Sequence, residues 1–216
     1  MKSDGIILDI DGTVWDSTQL VANAWNKAIQ CSKIPGAATL VEKNPLTSEI
    51  LKTVFGKTMD IIADELFFSL KKNDRYKLLE ECDIYETKFL EENKQDITYE
   101  GITETIKILS KTYKVFIVSN CQKGYIEHCL DQNKLWPYIT AIECFGNTGK
   151  KKAYNIAKIV RENNIKQPVY VGDTQMDYIA ATENNIPFIW AAYGFGKPEN
   201  YTEKITKPVE LLKLFT

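Results

Sequence analysis

Apolar, strand-like segments alternate with helical patterns over most of the second half of the chain. The β-branched run Tyr113–Val118 precedes a helical pattern at Tyr125–Leu135, and a possible strand at Ile139–Phe145 precedes a helical pattern at Lys152–Asn164. Strands that alternate with helices of this length predict right-handed βαβ crossovers and therefore a parallel sheet. This alternation predicts an α/β protein with a doubly wound sheet.

Other segments extend the same alternation. Strands are predicted at Gly5–Ile10, Pro168–Val171 and Pro187–Ala192, and helices at Ile102–Lys111, Asp177–Asn184 and Pro208–Phe215. Gly5–Ile10 is apolar and bounded by turn-forming residues, which is typical of a strand buried on both faces. The glycines of Trp190–Gly196 would suit a loop near a crevice at the sheet edge, but we favour core aromatic residues followed by a turn.

Residues 18–96 interrupt this alternation, because they contain helical patterns and no strand-like segment. The helical patterns lie at Leu20–Cys31, Ser48–Phe55, Thr58–Leu70 and Arg75–Glu92. We therefore expect two domains. Residues 1–17 and 97–216 would form a Rossmann-like α/β core, and residues 18–96 would form an inserted, all-helical domain.

Composition excludes several other classes of protein. The 216 residues are 44% hydrophobic and 26% charged, an ordinary globular mix that excludes a disordered chain or a collagen-like repeat. The formal net charge of −2 gives no sign of nucleic-acid or anionic-membrane binding. The apolar runs are far shorter than the roughly 18–20 residues of a membrane helix, and no signal peptide is recognised. We expect a cytoplasmic protein without nucleic-acid or membrane partners.

The cysteines and the single histidine offer no obvious site. The five cysteines are odd in number and contain no C-x-x-C pair, which argues against a zinc site and a disulfide framework. His128 lies in a helical pattern, and we interpret it as a surface or half-buried residue.

Polar residues lie at the carboxyl ends of three of the predicted strands. They are Asp9 and Asp11 at the end of Gly5–Ile10, Ser119 and Asn120 directly after Tyr113–Val118, and Asp173 and Asp177 after Pro168–Val171. Ligands bind beyond the carboxyl ends of the strands in an open parallel sheet. The sequence therefore predicts a polar site at this edge.

Four of these residues are aspartates, which predicts a bound cation. Asp9, Asp11, Asp173 and Asp177 would repel one another in one crevice, and burying them unpaired would be costly. Without a nearby histidine or cysteine ligand, all-oxygen coordination indicates Mg²⁺ before Ca²⁺. Mg²⁺ often combines one or two carboxylates with a substrate phosphate, so the site suits phosphoryl chemistry.

Two carboxylates two residues apart can divide the catalytic work. Residues i and i+2 of a strand share a face, so Asp9 and Asp11 would point to the same side. One can attack phosphorus, while the other protonates the leaving group and then deprotonates water. Ser119 and Asn120 offer hydrogen-bond donors to phosphate oxygens, and a lysine at the start of the helix near residue 152 would add positive charge.

These residues resemble the motifs of the haloacid dehalogenase (HAD) superfamily of phosphohydrolases. The Asp-x-Asp-Gly-Thr-x-x-Asp motif corresponds to Asp9–Asp16, the Ser-Asn motif to Val118–Asn120, and the Gly-Asp-x-x-x-Asp motif to Gly172–Asp177. The resemblance covers nearly the whole chain. Residues 18–96 resemble the helical C1 cap domain of the phosphoglycolate phosphatase-like branch.

The lysine motif of this superfamily has three consecutive candidates. Lys150, Lys151 and Lys152 are adjacent, so spacing alone leaves the choice open. We favour Lys152, because it opens a helix as the corresponding lysine does in family members, and Lys150 is the second choice.

The resemblance implies a role for each residue. Asp9 would be the nucleophile that forms an aspartyl-phosphate, and Asp11 would be the general acid/base. Mg²⁺ would be bound by Asp9, the backbone carbonyl of Asp11, and Asp173, with Asp177 in support. The phosphoryl group would be held by Thr13, Ser119, Asn120 and Lys152.

We therefore expect an Mg²⁺-dependent phosphatase, that is, a phosphoric monoester hydrolase, that acts on a small phosphorylated metabolite as a monomer or homodimer. One alternative is a sugar phosphomutase of the β-phosphoglucomutase type, which shares the core and cap but typically has a hinge histidine that this chain lacks. The other is a non-catalytic phosphate- or partner-binding module, for which loss of Asp9 or Asp11 would be expected. Both aspartates are present.

Overall fold

The computed structural model describes residues 1–215, and its central feature is a six-stranded parallel sheet. The strands are β1 (Gly5–Leu8), β2 (Lys114–Ser119), β3 (Ala141–Cys144), β4 (Pro168–Gly172), β5 (Phe188–Ala191) and β6 (Glu203–Ile205). Their spatial order is β3-β2-β1-β4-β5-β6, and every neighbouring pair is parallel. The order runs outward from β1 in both directions, which is the doubly wound, Rossmann-like arrangement. The predicted fold class is confirmed.

Helices connect these strands and also form a separate group. The first group is α1 (Thr18–Cys31), α2 (Thr39–Glu42), α3 (Ser48–Val54), α4 (Met59–Leu66) and α5 (Lys72–Glu92). The second is α6 (Ile102–Leu109), α7 (Tyr125–Gln132), α8 (Phe145–Thr148), α9 (Lys152–Glu162), α10 (Gln175–Glu183) and α11 (Leu211–Leu214). Short 3-10 turns lie at Trp136–Tyr138 and Pro208–Glu210.

The chain divides into two compact units. One contains Met1–Asp16 together with the chain from Ile97 onward, and the other is Ser17–Asp96. The first unit contains the sheet and α6–α11. The second unit contains α1–α5 and, within residues 17–96, no strand.

The α/β unit is built around strands that are buried on both faces. Ile6, Ile7 and Leu8 of β1 are fully buried, as are Phe116 and Val118 of β2. Strands in this position carry continuous apolar runs rather than alternating ones, because helices cover both sides of the sheet. This explains why β1, β2 and β4 were recognisable in the sequence.

The helical unit has its own apolar core between α1 and α5. Trp25 is fully buried there with Leu78 and Cys82. The Trp25 indole donates a hydrogen bond to the buried Glu86 carboxylate, with 2.6 Å between Nε1 and Oε2. A buried carboxylate needs such a partner, because an unpaired one would carry a large desolvation penalty.

The sequence argued against a disulfide framework and against a membrane-spanning helix. None of the five cysteines, all of which lie within residues 1–215, forms a disulfide. No helix within residues 1–215 combines the length and the apolar character needed to cross a bilayer.

Candidate active site

The sheet order places the ends of β1, β2 and β4 side by side. Leu8, near the end of β1, lies opposite Ile117 of β2 and Val171 of β4. The residues that follow these positions therefore leave the sheet at one edge, next to the point where the strand order reverses. Ligands bind at this point in doubly wound sheets.

Three carboxylates form a buried cluster at this edge. Asp9, Asp173 and Asp177 are 1%, 0% and 0% exposed. One carboxylate oxygen from each lies within 4.8 Å of the others. The structure thus brings together three of the four aspartates singled out in the sequence, while the side chain of Asp11 has other partners described below.

Lys152 is the lysine that enters this cluster. Its Nζ lies 2.8 Å from Asp9 Oδ1 and 2.6 Å from Asp177 Oδ1, and the side chain is buried. Burial alone would lower the pKa of Lys152, but the charges of Asp177 and Asp9 outweigh it and raise the pKa above its usual value. Lys150 and Lys151 are exposed. Lys152 is also the first residue of α9, so the start of that helix directs its side chain to the sheet edge.

Burial, mutual repulsion and the hydrogen-bond partners of each carboxylate together shift the pKa values of the three aspartates in different directions. Desolvation, together with the charge of Asp177, raises the pKa of Asp9 to about 7. Desolvation and the charges of Asp177 and Asp9 also raise the pKa of Asp173 well above its usual range. Burial acts on Asp177 too, but Lys152 and Thr174 outweigh it and lower its pKa. With all three carboxylates ionised, the cluster would carry more negative charge than Lys152 can offset.

A hydrogen-bond frame fixes the side chain of Asp177. Its Oδ2 accepts bonds from the Thr174 hydroxyl at 2.7 Å and from the backbone N–H groups of Thr174 and Asp173 at 2.9 and 3.2 Å. Its Oδ1 accepts from Lys152 and, at 3.2 Å, from the Tyr170 hydroxyl. With both oxygens engaged, Asp177 is placed to orient Lys152.

Only one of the two carboxylate oxygens of Asp173 has a hydrogen-bond partner within residues 1–215. Its Oδ2 accepts a 2.6 Å hydrogen bond from the backbone N–H of Phe195. Its Oδ1 is buried and has no hydrogen-bond partner within residues 1–215. A buried acceptor of this kind is unusual in a folded protein and calls for an explanation, such as an ion or ligand.

The loop after β1 is shaped by a glycine. Gly12 has a φ of +78°, and a Cβ built on it would lie 2.1 Å from Asp173 Oδ2. Only glycine adopts this conformation readily and leaves room for the carboxylate. The next residue, Thr13, is fully buried. Its hydroxyl has no hydrogen-bond partner in the described part of the chain.

Ser119 and Asn120 reach the same edge from β2. Ser119 is the last residue of that strand, and both side chains are almost fully buried. Because β2 is the direct neighbour of β1, both residues lie at the end of β2 next to the strand end that carries Asp9.

The segment after β5 contributes to the site, although we interpreted it as core aromatics and a turn. Besides the Phe195 N–H bond to Asp173, the Tyr193 hydroxyl donates to the Thr13 carbonyl at 2.9 Å. A Cβ on Gly194 would lie 2.2 Å from the Gly12 carbonyl oxygen. The paired glycines, Gly194 and Gly196, were the sequence signal for this close approach.

Asp11 lies at the same strand end, but its carboxylate is held by aromatic side chains. Its Oδ1 accepts hydrogen bonds from the Tyr125 hydroxyl at 2.7 Å and from the Trp15 indole at 2.9 Å. Tyr125 was not predicted as a site residue, because no motif spacing connects it to Asp11.

The sequence matches the haloacid dehalogenase-like hydrolase family over residues 6–191, which is most of the chain. No curated protein matches the sequence.

Many solved structures share this fold, and three of them illustrate how little of the sequence is shared. A predicted phosphatase from Clostridium acetobutylicum is 21% identical, with a TM-score of 0.81 over 99% of this chain and 98% of that one. A predicted phosphoglycolate phosphatase from Haemophilus somnus is 17% identical, with a TM-score of 0.84 over 98% and 97%. A haloacid dehalogenase-like hydrolase from Streptococcus pneumoniae is 19% identical, with a TM-score of 0.80 over 99% and 98%. At these identities the likeness establishes the fold.

Proposed function

Because the chain belongs to the haloacid dehalogenase-like hydrolase family, we propose that it is a Mg²⁺-dependent phosphatase that hydrolyses small phosphomonoesters through an aspartyl-phosphate. The observation that carries the proposal is the environment of Asp9. This carboxylate is buried at the end of β1, its Oδ1 is bonded to Lys152, and it lies within 4.8 Å of Asp173 and Asp177.

The donors of this site fit a hard divalent cation. Asp9 and Asp173 offer carboxylate oxygens, and Asp173 Oδ1 has no hydrogen-bond partner within residues 1–215. Three carboxylates face one ammonium group, so a cation would relieve the excess negative charge, and oxygen-only donors favour Mg²⁺. Asp9, Asp173 and the backbone carbonyl of Asp11 would hold it. When bound, the ion would supply charge stabilisation to the phosphoryl oxygens.

In the proposed reaction, Asp9 acts as the nucleophile. Since Lys152 binds its Oδ1, we assign Oδ2 as the oxygen that attacks phosphorus. The bond between phosphorus and the leaving-group oxygen breaks, and that oxygen takes the proton of Asp11. Water then attacks phosphorus, gives its proton to Asp11, and the Asp9 carboxylate leaves with its electron pair.

Four side chains are proposed to hold the phosphoryl group. Thr13 supports this assignment, because its buried hydroxyl has no partner within residues 1–215 and would gain one from a phosphate oxygen. Ser119 and Asn120 are buried beside the end of β1, and Lys152 supplies a positive charge. A lysine beside both the nucleophile and the phosphoryl group would offset the negative charge of both.

The proposed preference for small substrates rests on the position of the helical unit in the sequence. Ser17–Asp96 is inserted directly after the loop that carries Asp9 and Asp11. This is where the C1 cap lies in the branch that the sequence resembles. A domain-sized insertion at that point would suit small soluble phosphomonoesters rather than phosphoproteins.

The test combines turnover with detection of the covalent intermediate. Purified protein with Mg²⁺ is assayed for phosphate release on a panel of phosphorylated metabolites, and quenched reactions are examined by intact-protein mass spectrometry for one added phosphoryl group. The variant Asp9→Asn should lose turnover by a factor on the order of 10⁴ or more and should show no adduct.

A matched carboxylate variant provides the control. Asp60→Asn changes an exposed residue in the helical unit in the same way, and it should release phosphate at the wild-type rate. Wild-type rates in Asp9→Asn would refute the covalent mechanism, and formation of an isomerised sugar phosphate without phosphate release would indicate a mutase.

A further inference from the structure

Two aromatic side chains hold the carboxylate of Asp11, and we propose that Tyr125, assisted by Trp15, is a positioning residue for this acid/base. The inference rests on the proposed phosphatase function. Both donors meet the same oxygen, Asp11 Oδ1: the Tyr125 hydroxyl lies 2.7 Å away and the Trp15 Nε1 2.9 Å away. Both distances are those of well-formed hydrogen bonds.

Trp15 reaches Asp11 because the chain folds back on itself after β1. The Gly12 N–H donates to the Trp15 carbonyl at 2.9 Å, and the Trp15 N–H donates to the Ile10 carbonyl at 3.2 Å. These bonds bring the residue four positions after Asp11 back beside it. The donor on the indole ring is therefore part of the same tight loop as the acid/base.

Tyr125 reaches the same carboxylate from another element. It is the first residue of α7, which follows the end of β2, and β2 is the direct neighbour of β1. The site therefore draws one donor from the catalytic loop itself and one from a separate helix.

The rings of Trp15 and Tyr125 also pack against each other. Their centroids are 5.2 Å apart at an interplanar angle of 81°, which is an edge-to-face contact. Trp15 is fully buried and Tyr125 is only 8% exposed. Because both rings are packed, the positions of their hydrogen-bond donors are fixed rather than adaptable.

A fixed carboxylate matters for proton transfer. A general acid must hold its proton within hydrogen-bond reach of the leaving-group oxygen, and misalignment reduces the rate. Anchoring Oδ1 fixes the plane of the carboxyl group and so the direction of Oδ2. Tyr125 thus acts through Asp11, and its hydroxyl should matter most when the leaving group needs a proton.

The experiment compares two aryl phosphates that differ in leaving group. p-Nitrophenol leaves readily as an anion, whereas phenol needs protonation. In Tyr125→Phe, which keeps the ring and its contact with Trp15, kcat/KM for phenyl phosphate should fall about tenfold, and kcat/KM for p-nitrophenyl phosphate should change less than about threefold. kcat/KM is chosen because it reports the step in which the leaving group departs.

A double-mutant cycle separates positioning from a structural role. In the Asp11→Asn background, Tyr125→Phe should cause no further loss with either substrate, because its partner is already inactive. Tyr113→Phe is the matched control: it removes a hydroxyl that donates to the Phe215 carbonyl, from the residue just before β2, and should leave the substrate ratio unchanged.

The results distinguish this inference from the function on which it rests. An active wild-type enzyme whose Tyr125→Phe variant keeps the wild-type substrate ratio overturns the positioning role alone. An equal further loss in the Asp11→Asn background also overturns it, since the hydroxyl would then act independently of Asp11. A wild-type protein that releases phosphate neither from these two esters nor from any member of the metabolite panel refutes the proposed function and this inference with it.

Discussion

Lys152 is the residue on which the charge balance of the buried cluster depends. Its ammonium contacts Asp9 and Asp177, and all three side chains are almost fully buried. In Lys152→Met, which retains much of the volume, the carboxylates lose their compensating charge. We expect the free energy of unfolding to fall by about 3–5 kcal/mol, as measured by urea denaturation with a chelator present.

A surface lysine provides the comparison for this variant. Lys52 lies 3.0 Å from Glu49 in α3, but both side chains are solvent-accessible. Lys52→Met should cost no more than about 1 kcal/mol, because water screens such pairs. Equal stability of the Lys152→Met variant and the wild type would show that the cluster does not hold net negative charge.

A substitution at Gly12 would test whether the site needs the open space beside the Asp173 carboxylate. Gly12→Ala combines a strained φ of +78° with a methyl group 2.1 Å from Asp173 Oδ2, whereas Gly149→Ala has a φ of +64° and open space. Both variants should lose roughly 1–2 kcal/mol from backbone strain. Only Gly12→Ala should also lose phosphatase activity and Mg²⁺-dependent thermal stabilisation, measured by phosphate release and by melting temperature.

Activity in Gly12→Ala equal to that in Gly149→Ala would contradict this account. It would mean that the loop moves away from Asp173 without disturbing the site.

Individual residues differ in how far sequence alone could place them. Asp9 and Asp173 could be singled out because each directly follows an apolar strand. The choice among three consecutive lysines depended on where α9 begins, and helix boundaries are uncertain by a residue or two. Tyr125 could not be found, because 114 positions separate it from its partner Asp11 and only the pairing of β1 with β2 brings them together.

At the level of elements, the start of α10 links helix capping to the site. Thr174 is the N-cap: its hydroxyl accepts a bond from the Asp177 N–H and donates to Asp177 Oδ2. Thr174→Ala should lower the free energy of unfolding by about 0.5–2 kcal/mol. It should also reduce kcat several-fold, because Asp177 loses part of the frame that orients Lys152.

The N-cap of α3 is the matched control for this prediction. The Thr47 hydroxyl accepts a bond from the Ile50 N–H, so Thr47→Ala should cost a similar amount of stability. Phosphatase activity should be unaffected by that change. A Thr174→Ala variant with wild-type kcat would show that Asp177 keeps its orientation through its backbone N–H donors alone.

Elements were predictable where one local signal dominated. The apolar runs of β1, β2 and β4 follow from burial on both faces. β6 was missed, because Glu203 and Lys204 are exposed and only Ile205 is buried; an edge strand of three residues has no apolar run to reveal it. A role for the loop after β5 was considered but ranked below a core interpretation, since its contacts with Thr13 and Asp173 depend on tertiary structure.

For the whole molecule, the topology followed from the alternation of strands and helices. Right-handed crossovers allow few arrangements of such a chain, so a doubly wound sheet could be expected before its strand order was known. That order, with β1 between β2 and β4, is what gathers the site residues. All of Asp9, Asp11, Ser119, Asn120, Lys152, Asp173 and Asp177 lie in the α/β unit.

This distribution predicts that the α/β unit folds without the helical insertion. The unit keeps its own ends together: the Asp16 N–H donates to the Ile97 carbonyl at 2.8 Å, and the Tyr99 N–H donates to the Val14 carbonyl at 3.0 Å. Residues 17–96 can therefore be replaced by a short Gly-Ser linker without stretching the chain. We expect a single cooperative thermal transition with the helix and strand content of the remaining residues, measured by circular dichroism.

The shortened protein should also respond to Mg²⁺, because the whole carboxylate cluster is retained. A ligand that binds only the folded state raises stability by RT ln(1 + [L]/Kd), so the melting temperature should rise with Mg²⁺ concentration. The same protein carrying Asp173→Asn should show a much smaller rise, since it loses the carboxylate whose Oδ1 has no partner within residues 1–215. A shortened protein that folds but gives equal responses with and without Asp173 would place the cation elsewhere, and one that does not fold would mean that the α/β unit depends on the insertion.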